Sequence, residues 1–409
     1  MRILWSLVFL FLLQYLPAQN QWTLFNSSNS ALPDNVIRCL AKDAQGNVWI
    51  GTDNGVAKFD GNTFTVIDSS NSDLPVNQIR SIAFDTSNHL WVGTLQAGVA
   101  VFDGSNWINY TSQNSALPDD QVRTIAFDTA GDAWLGTTGG VVHISSEGWE
   151  VYGMFNSPLA SNNINHIFVQ DATIWVGTVN GGLSRKVGSV WNTYTHQNSG
   201  MLDNTAYHLT DDIFGNLWFA TPAQGLGRYN GNGWYFRSIS NSGLPTNGLS
   251  AIEVVKHTDV KYIGTIDKGL VRWTNGLPFD SFTVNNSPMP DNHVTCLLQY
   301  NDSTFYIGTA SSGLVKFVDT TQYPLVSAVK ELNDAAEIMV YPNPATVFIS
   351  LSNVIANASV SISDAMGREV LQSFTVNNYP IDISDLAAGV YFLQIRRTGE
   401  FYRVKFIKE

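Results

Sequence analysis

The chain has little charge and almost no cysteine: of 409 residues, 14% are Asp, Glu, Lys or Arg, and Cys39 and Cys296 are the two cysteines. Two thiols are too few for a disulfide framework, and their spacing suits no common zinc site. Lys and Arg number 22 against 34 Asp and Glu. The resulting net charge of −12 argues against a nucleic-acid backbone as partner, since such a partner selects a basic face. After the first 18 residues no segment is apolar enough over sufficient length to span a bilayer. The chain also lacks a G-x-S-x-G elbow, an H-E-x-x-H helix and a phosphate-cradling P-loop. No catalytic residue, metal ligand or cofactor is therefore assigned. The acidic turns at Asp43, Asp128, Asp171 and Asp212 supply too few clustered oxygens for calcium, and Asp in such turns usually caps its own backbone.

What the chain does have is Trp (12), Tyr (15) and Phe (22), set beside 33 Gly and 14 Pro. Aromatics suit pleated, half-buried surfaces, while Gly and Pro punctuate turns, so the composition favours sheet. The N-terminus has its own character. Met1-Arg2, an apolar run over residues 3–16 and then Pro17-Ala18-Gln19 have the form of a secretory signal peptide, with cleavage expected after Ala18. No cysteine follows the run, so a lipoprotein anchor is not expected.

An internal repeat dominates the rest. Trp49-Ile50-Gly51-Thr52 recurs as Trp91-Val92-Gly93-Thr94, Trp134-Leu135-Gly136-Thr137 and Trp175-Val176-Gly177-Thr178. It continues as Trp218-Phe219-Ala220-Thr221, Tyr262-Ile263-Gly264-Thr265 and Tyr306-Ile307-Gly308-Thr309, at steps of 42, 43, 41, 43, 44 and 44 residues. A period in the low forties is that of a four-stranded propeller blade, and seven copies predict seven blades. First strands are expected at 36–41, 79–84 and 122–127, third strands at 56–59 and 99–102, and fourth strands at 107–110, 149–152 and 191–194. The seventh copy stops near Lys316-Phe317-Val318 without an aromatic fourth strand, and the matching strand lies at the other end, at Trp22-Thr23-Leu24-Phe25. The N-terminal strand is therefore expected to complete the last blade and remove the edge of an open ring. The repeated Trp and Gly are read as packing residues, because every blade needs them.

The phrases W-I-G-T-x-x-G-V, L-P-D-N-x-I-R-x-I and D-x-x-G-N-x-W resemble the two-component-regulator propeller repeat over residues 22–318. That family forms the extracytoplasmic sensing half of certain bacterial hybrid sensor kinases. This chain has no kinase or receiver segment, so the resemblance implies an extracellular recognition scaffold and not the family's signalling.

Residues 321–337 turn polar and read as a linker. Alternating strands follow at 347–351, 358–363, 369–374, 390–395 and 402–407, with turn signals between them, a pattern that suits a small Ig-like antiparallel β-sandwich. The motifs Y-P-N-P-A, D-A-M-G-R-E-V, L-A-A-G-V-Y-F-L-Q-I and V-K-F-I-K look like the type A sorting domain of the type IX secretion system. Pro342, Asn343, Pro344, Gly367, Gly389, Tyr391, Lys405 and Lys408 are the residues that carry the match. The resemblance implies export from a Gram-negative bacterium, removal of residues 338–409 by a sortase, and release or attachment at the outer-membrane surface.

Two columns in the first strands are candidates for function. One holds Arg38, Arg80, Arg123, Asn165, Tyr207, Ser250 and Thr295. If it faces the axis, its three Arg form an anion-binding patch, and Arg38, Arg80, Arg123, Asn165 and Tyr207 are the candidate ligand site. The next column holds Cys39, Ser81, Thr124, His166, His208, Ala251 and Cys296. With neighbouring sheets about 10 Å apart, these His and Cys are expected to be satisfied core residues, too far apart to share a metal or a disulfide. The expectation is an all-β, seven-bladed β-propeller over 19–320 followed by the sandwich: an exported, non-catalytic protein that binds a glycan, peptide or polymer fragment. A secreted lyase or glycan-active enzyme, and a structural surface component, are the alternatives.

Overall fold

The computed structural model describes residues 19–321 except 275–277, residue 323, and, from 340 to 409, all but 342, 352–358, 365–367, 376–380 and 398–399. The leader at 1–18, most of the linker, and Pro342 and Gly367 among the sorting residues lie outside the described residues.

Each repeat folds into one four-stranded antiparallel sheet, and there are seven of them. In the first, Ile37–Lys42, Val48–Thr52, Gly55–Phe59 and Phe64–Ile67 follow one another in chain order. The seventh is composite: Val294–Gln299, Thr304–Thr309 and Leu314–Val318 take Gln21–Phe25 as their fourth strand. There Trp22 stands opposite Phe317. The Thr320 N–H also donates to Asn20 Oδ1 at 3.1 Å, so the two ends of the ring are joined by side chains as well as by the ladder. The first strands of successive sheets pack on one another right around, the seventh against the first, which makes them the innermost strands of a β-propeller. The lone helix among the described residues is the four-residue turn Ile239–Ser242.

The signature residues divide three tasks. The Trp closes its blade's first turn by donating from Nε1 to a side-chain oxygen at that turn: Trp49 to Asp43 at 2.9 Å, Trp134 to Asp128 at 2.9 Å, Trp218 to Asp212 at 2.8 Å and, in the fourth blade, Trp175 to Gln170 Oε1 at 3.1 Å. The three Asp carboxylates also accept backbone N–H groups two and four residues on, as Asp43 does from Gln45 and Asn47. In the sixth and seventh copies Val255 and Tyr300 stand where the Asp would be, and the aromatic is Tyr262 or Tyr306. An indole N–H needs a buried acceptor, and where the acceptor is lost so is the Trp. The Thr is fully buried in every blade, its hydroxyl donating to the carbonyl that ends the next turn, as Thr52 does to Gly55 and Thr309 to Gly313. The Gly permits close approach: a Cβ on Gly51 would lie 2.8 Å from Ile79 of the next blade.

The first strand begins at Ile37, one residue later than expected, and a β-bulge interrupts its first pairs. Ile37 pairs with Thr52 but Cys39 with Gly51, leaving Arg38 outside the ladder. The same shift recurs at 79/81, 122/124, 164/166, 249/251 and 294/296. A bulge leaves one residue unpaired and re-aims its side chain.

At the C-terminus, Glu369–Thr375, Ser359–Asp364, Gly389–Arg397 and Glu400–Lys408 form a four-stranded sheet. Val340–Tyr341, Phe348–Leu351 and Ile381–Asp382 form a three-stranded one, whose short outer strands the alternation pattern did not reveal. Ile349 and Ile381 of the smaller sheet share one buried cluster with Val360, Ile362, Leu393 and Phe406 of the larger. Asn343 Oδ1 accepts from the Ile407 N–H at 2.9 Å, and Ala345 bridges Lys408, so the first motif of this region is zipped to its last. Tyr391 is buried, donates to the Ala387 carbonyl at 2.9 Å and stacks on Phe406; Lys408 is buried and Lys405 exposed.

Candidate ligand sites at the two ends of the propeller axis

The bulges place the Arg column at one mouth of the axis, at the start of the innermost strands. Arg38 holds Asp53 with two hydrogen bonds, from Nε at 3.0 Å and from Nη2, and Arg80 Nη1 reaches the same carboxylate at 2.8 Å. Two guanidiniums thus share one counter-ion, and the Arg38 bond in particular holds the Asp53 carboxyl below the usual range. Arg123 is placed differently. Its partners are neutral amides: Asn163 at 2.6 Å, and Asn165 and Gln121 at 3.5 Å. Burial first, and then the charge of Arg80, depress its pKa, with Asp119 acting the other way. Tyr207 is 39% exposed at the same mouth. The rest of the column latches one blade to the next: Asn165 donates to the Ala206 carbonyl, Ser250 to Val294 and Thr295 to Ile37.

One layer deeper, the structure corrects the expected spacing. The rings of His166 and His208 are 4.3 Å apart, not about 10 Å, because the innermost strands of radial sheets converge towards the axis. The Leu209 N–H donates to His166 Nδ1 at 3.3 Å, whereas buried His208 Nδ1 has no partner. Burial, reinforced by His208, holds the His166 pKa well below its usual value, and burial takes His208 down to about 4 against a hydrogen bond with the Ile252 backbone. Cys39 and Cys296 are both free, and burial pushes the Cys39 thiol far up and Cys296 to about 12, so neither is a ready thiolate.

The opposite mouth holds a cleft of about 480 Å³ where the innermost strands of the fourth to seventh sheets end. Phe168 and Gln170 come from Ile164–Gln170, Thr210 and Asp211 from His208–Asp211, and Glu253 and Val254 from Leu249–Val255, with Asp171, Lys256, His257 and Asp302 on the following turns. Lys256 pairs with Asp211 at 2.6 Å, and His257 lies 3.3 Å from Asp302. Glu253, partly buried in the wall, has no hydrogen bond or ion pair among the described residues, and desolvation raises its pKa to about 8. No sequence motif marks Glu253. The one signal is an acidic residue in a column otherwise filled by Ala41, Ala83, Ala126, Phe168, Thr210 and Leu298.

Among the described residues, one trio has metal-ligand spacing: Asp128, Asp132 and His143, away from the axis on the third blade. Asp128 already serves Trp134 there, and His143 Nε2 lies 3.1 Å from Asp132 while its ring stacks on Trp134, so capping accounts for the group.

Residues 31–54 and 73–96 match the two-component regulator propeller model, and residues 339–409 match the secretion system C-terminal sorting domain. No curated protein matches the chain. Among solved structures it is similar to the extracellular domain of a protein from B. thetaiotaomicron described as a hybrid two-component system, with 18% identity, a TM-score of 0.63, and 96% of this chain and 58% of that one covered. It is also similar to PorZ of Porphyromonas gingivalis, an essential surface component of the type IX secretion system there, with 19% identity, a TM-score of 0.56, and 92% and 60% covered. Virginiamycin B lyase from Staphylococcus aureus shares 13% identity at a TM-score of 0.59, with 73% and 99% covered. The chain spans less than two thirds of the first two, and at these identities the likeness is one of fold. The chain folds as a β-propeller whose first repeats match the two-component regulator propeller model, and it ends in a secretion-system C-terminal sorting domain, the mark of a protein that is exported and then released or held at the cell surface.

Proposed function

We propose that this protein is an exported recognition propeller that binds an extracellular glycan, peptide or polymer fragment at the ends of its axis and does not transform it. Residues 1–18 act as the leader, 19–320 as a seven-bladed binding unit closed by residues 22–25, and 338–409, an Ig-like sandwich, as the signal that a surface sortase removes. The observation that carries the reading is the axial cleft, a concavity of about 480 Å³ that combines apolar wall with polar side chains left partly unpaired. At the other mouth Arg123, beside Asn165 and Tyr207, has the chemistry to receive an acidic group of the same or another ligand. Binding of the protein to an array of glycans and peptides, followed by hydrogen-exchange mapping, tests the reading. Protection is expected at 168–171, 210–211 and 253–257, or around Arg123. A ligand that protects neither mouth overturns it.

One observation favours a second reading, a secreted lyase or glycan-active enzyme. Glu253, with its pKa raised to about 8, lines the same cleft as His257, which gives a protonated acid and an imidazole at one rim. Turnover of a bound ligand that Glu253→Gln abolishes without loss of binding would establish that reading over the first.

A further inference from the structure

Resting on the binding reading, we infer that the cleft at the ends of the fourth to seventh innermost strands is a site for a cationic ligand: an ammonium group on an apolar stem, received by the Glu253 carboxylate. The charges around the cleft point one way. Asp171, Asp211, Glu253 and Asp302 line it against Lys256 and His257, and Lys256 is already neutralised by Asp211 at 2.6 Å. Asp302 has only His257 beside it, at 3.3 Å, and neither Glu253 nor Asp171 is paired with a Lys or Arg. These carboxylates do not converge on a point. The trio on the third blade is the one group among the described residues close enough to share a metal ion, so the cleft suits a ligand with extent and not a bare ion. Half-buried Phe168 and Val169 line the cleft and supply apolar wall for the stem.

Glu253 is the part that selects charge. A carboxyl so placed, with Thr210, Asp211, Lys256, Gln299 and Asp302 on the surrounding strands and turns and no bond to any of them, is held in its protonated form by desolvation. An entering ammonium supplies the missing partner. The carboxyl gives its proton to solvent, the carboxylate pairs with the cation, and no other bond changes. Binding near neutral pH therefore releases up to one proton and tightens as pH rises towards 8.

A matched pair of probes tests this on the full chain: Nα-acetyl-lysine methylamide and the same molecule acetylated on Nε, followed by calorimetry in two buffers of different ionisation heat. The charged probe is expected to bind about tenfold or more tighter than its neutral twin and to release a proton. Glu253→Gln is expected to remove both the preference and the proton while leaving the melting curve folded and cooperative. Lys256→Ala, which unmasks Asp211, is expected to tighten binding a few-fold, an effect that misfolding does not mimic. Equal binding of the two probes, or an unchanged preference in Glu253→Gln, overturns the cation assignment. If a neutral glycan protects 253–257 from exchange while neither lysine probe binds, the cleft is a binding site and the ligand class is wrong. If nothing protects either mouth, the binding reading itself fails.

Discussion

Trp22 lies against Phe317 with ring centroids 4.2 Å apart, and the same indole meets Phe282 of the sixth blade at 5.5 Å. The first strand after the leader is thus fastened both within its own sheet and to the neighbouring one. In each other blade the fourth strand arrives by a short turn. In this blade it arrives from the far end of the chain, and its side chains carry the closure.

Replacing Trp22 with Ala should cost about 2–3 kcal/mol, somewhat below a fully buried aromatic because the residue is half-buried. Removing residues 19–30 should lower the melting temperature much further, since it bares Leu314–Val318 along its whole length. Thermal unfolding of both variants checks this, and an unchanged midpoint in the deletion would refute closure by this strand.

The caps at the first turns should rank by burial. Asp212, 3% exposed, accepts from Trp218 at 2.8 Å and from Asn216, so Asp212→Ala should cost about 2–3 kcal/mol. Asp85 is more open and holds Trp91 at 3.3 Å, so Asp85→Ala should cost about 1 kcal/mol. Urea unfolding of the two variants gives the ranking, and the reverse order would count against the cap as the Trp's anchor.

Stability should respond to pH from two sides. His166 and His208 stay neutral in the fold, His208 down to about 4, while the unfolded chain takes up protons below about 6.5. Their contribution is full above that point and is lost as pH falls towards 4, by up to about 3 kcal/mol for His208. Glu253 acts oppositely. Its folded pKa of about 8 lies above the unfolded value, so the stability it contributes at low pH is lost as pH rises from about 4.5 to 8. Melting curves across this range should show Glu253→Gln flattening the alkaline side and His208→Asn the acid side. A wild-type profile flat on both sides would be inconsistent with the burial of these groups.

If residues 338–409 are a removable signal, protein recovered from the cell exterior should lack everything beyond about residue 335. Intact-mass measurement decides it, and a full-length external species would argue for a retained domain.

Much of this was readable in the chain because a repeat states each rule several times. The signature places an aromatic and a buried Thr turn cap in every blade, with the indole donor in the first five and the close-approach Gly in all but the fifth, since each blade solves the same packing problem against its neighbour. Trp22 was recognisable as a displaced fourth strand by the same repetition, and the sorting motifs by their order at the C-terminus. The sites were less legible, because they depend on how strands converge on the axis, which no single repeat encodes. The Arg column was visible, but its sharing of Asp53 and the neutral partners of Arg123 depend on which loop reaches across from the adjacent blade. His166 and His208 were spaced as if in parallel stacked sheets, whereas radial sheets bring innermost side chains to 4.3 Å. Glu253 belongs to no motif of the repeat. Only the assembled ring, which sets it in a cleft at the ends of four blades and leaves it without a partner, distinguishes it from the other residues of its column.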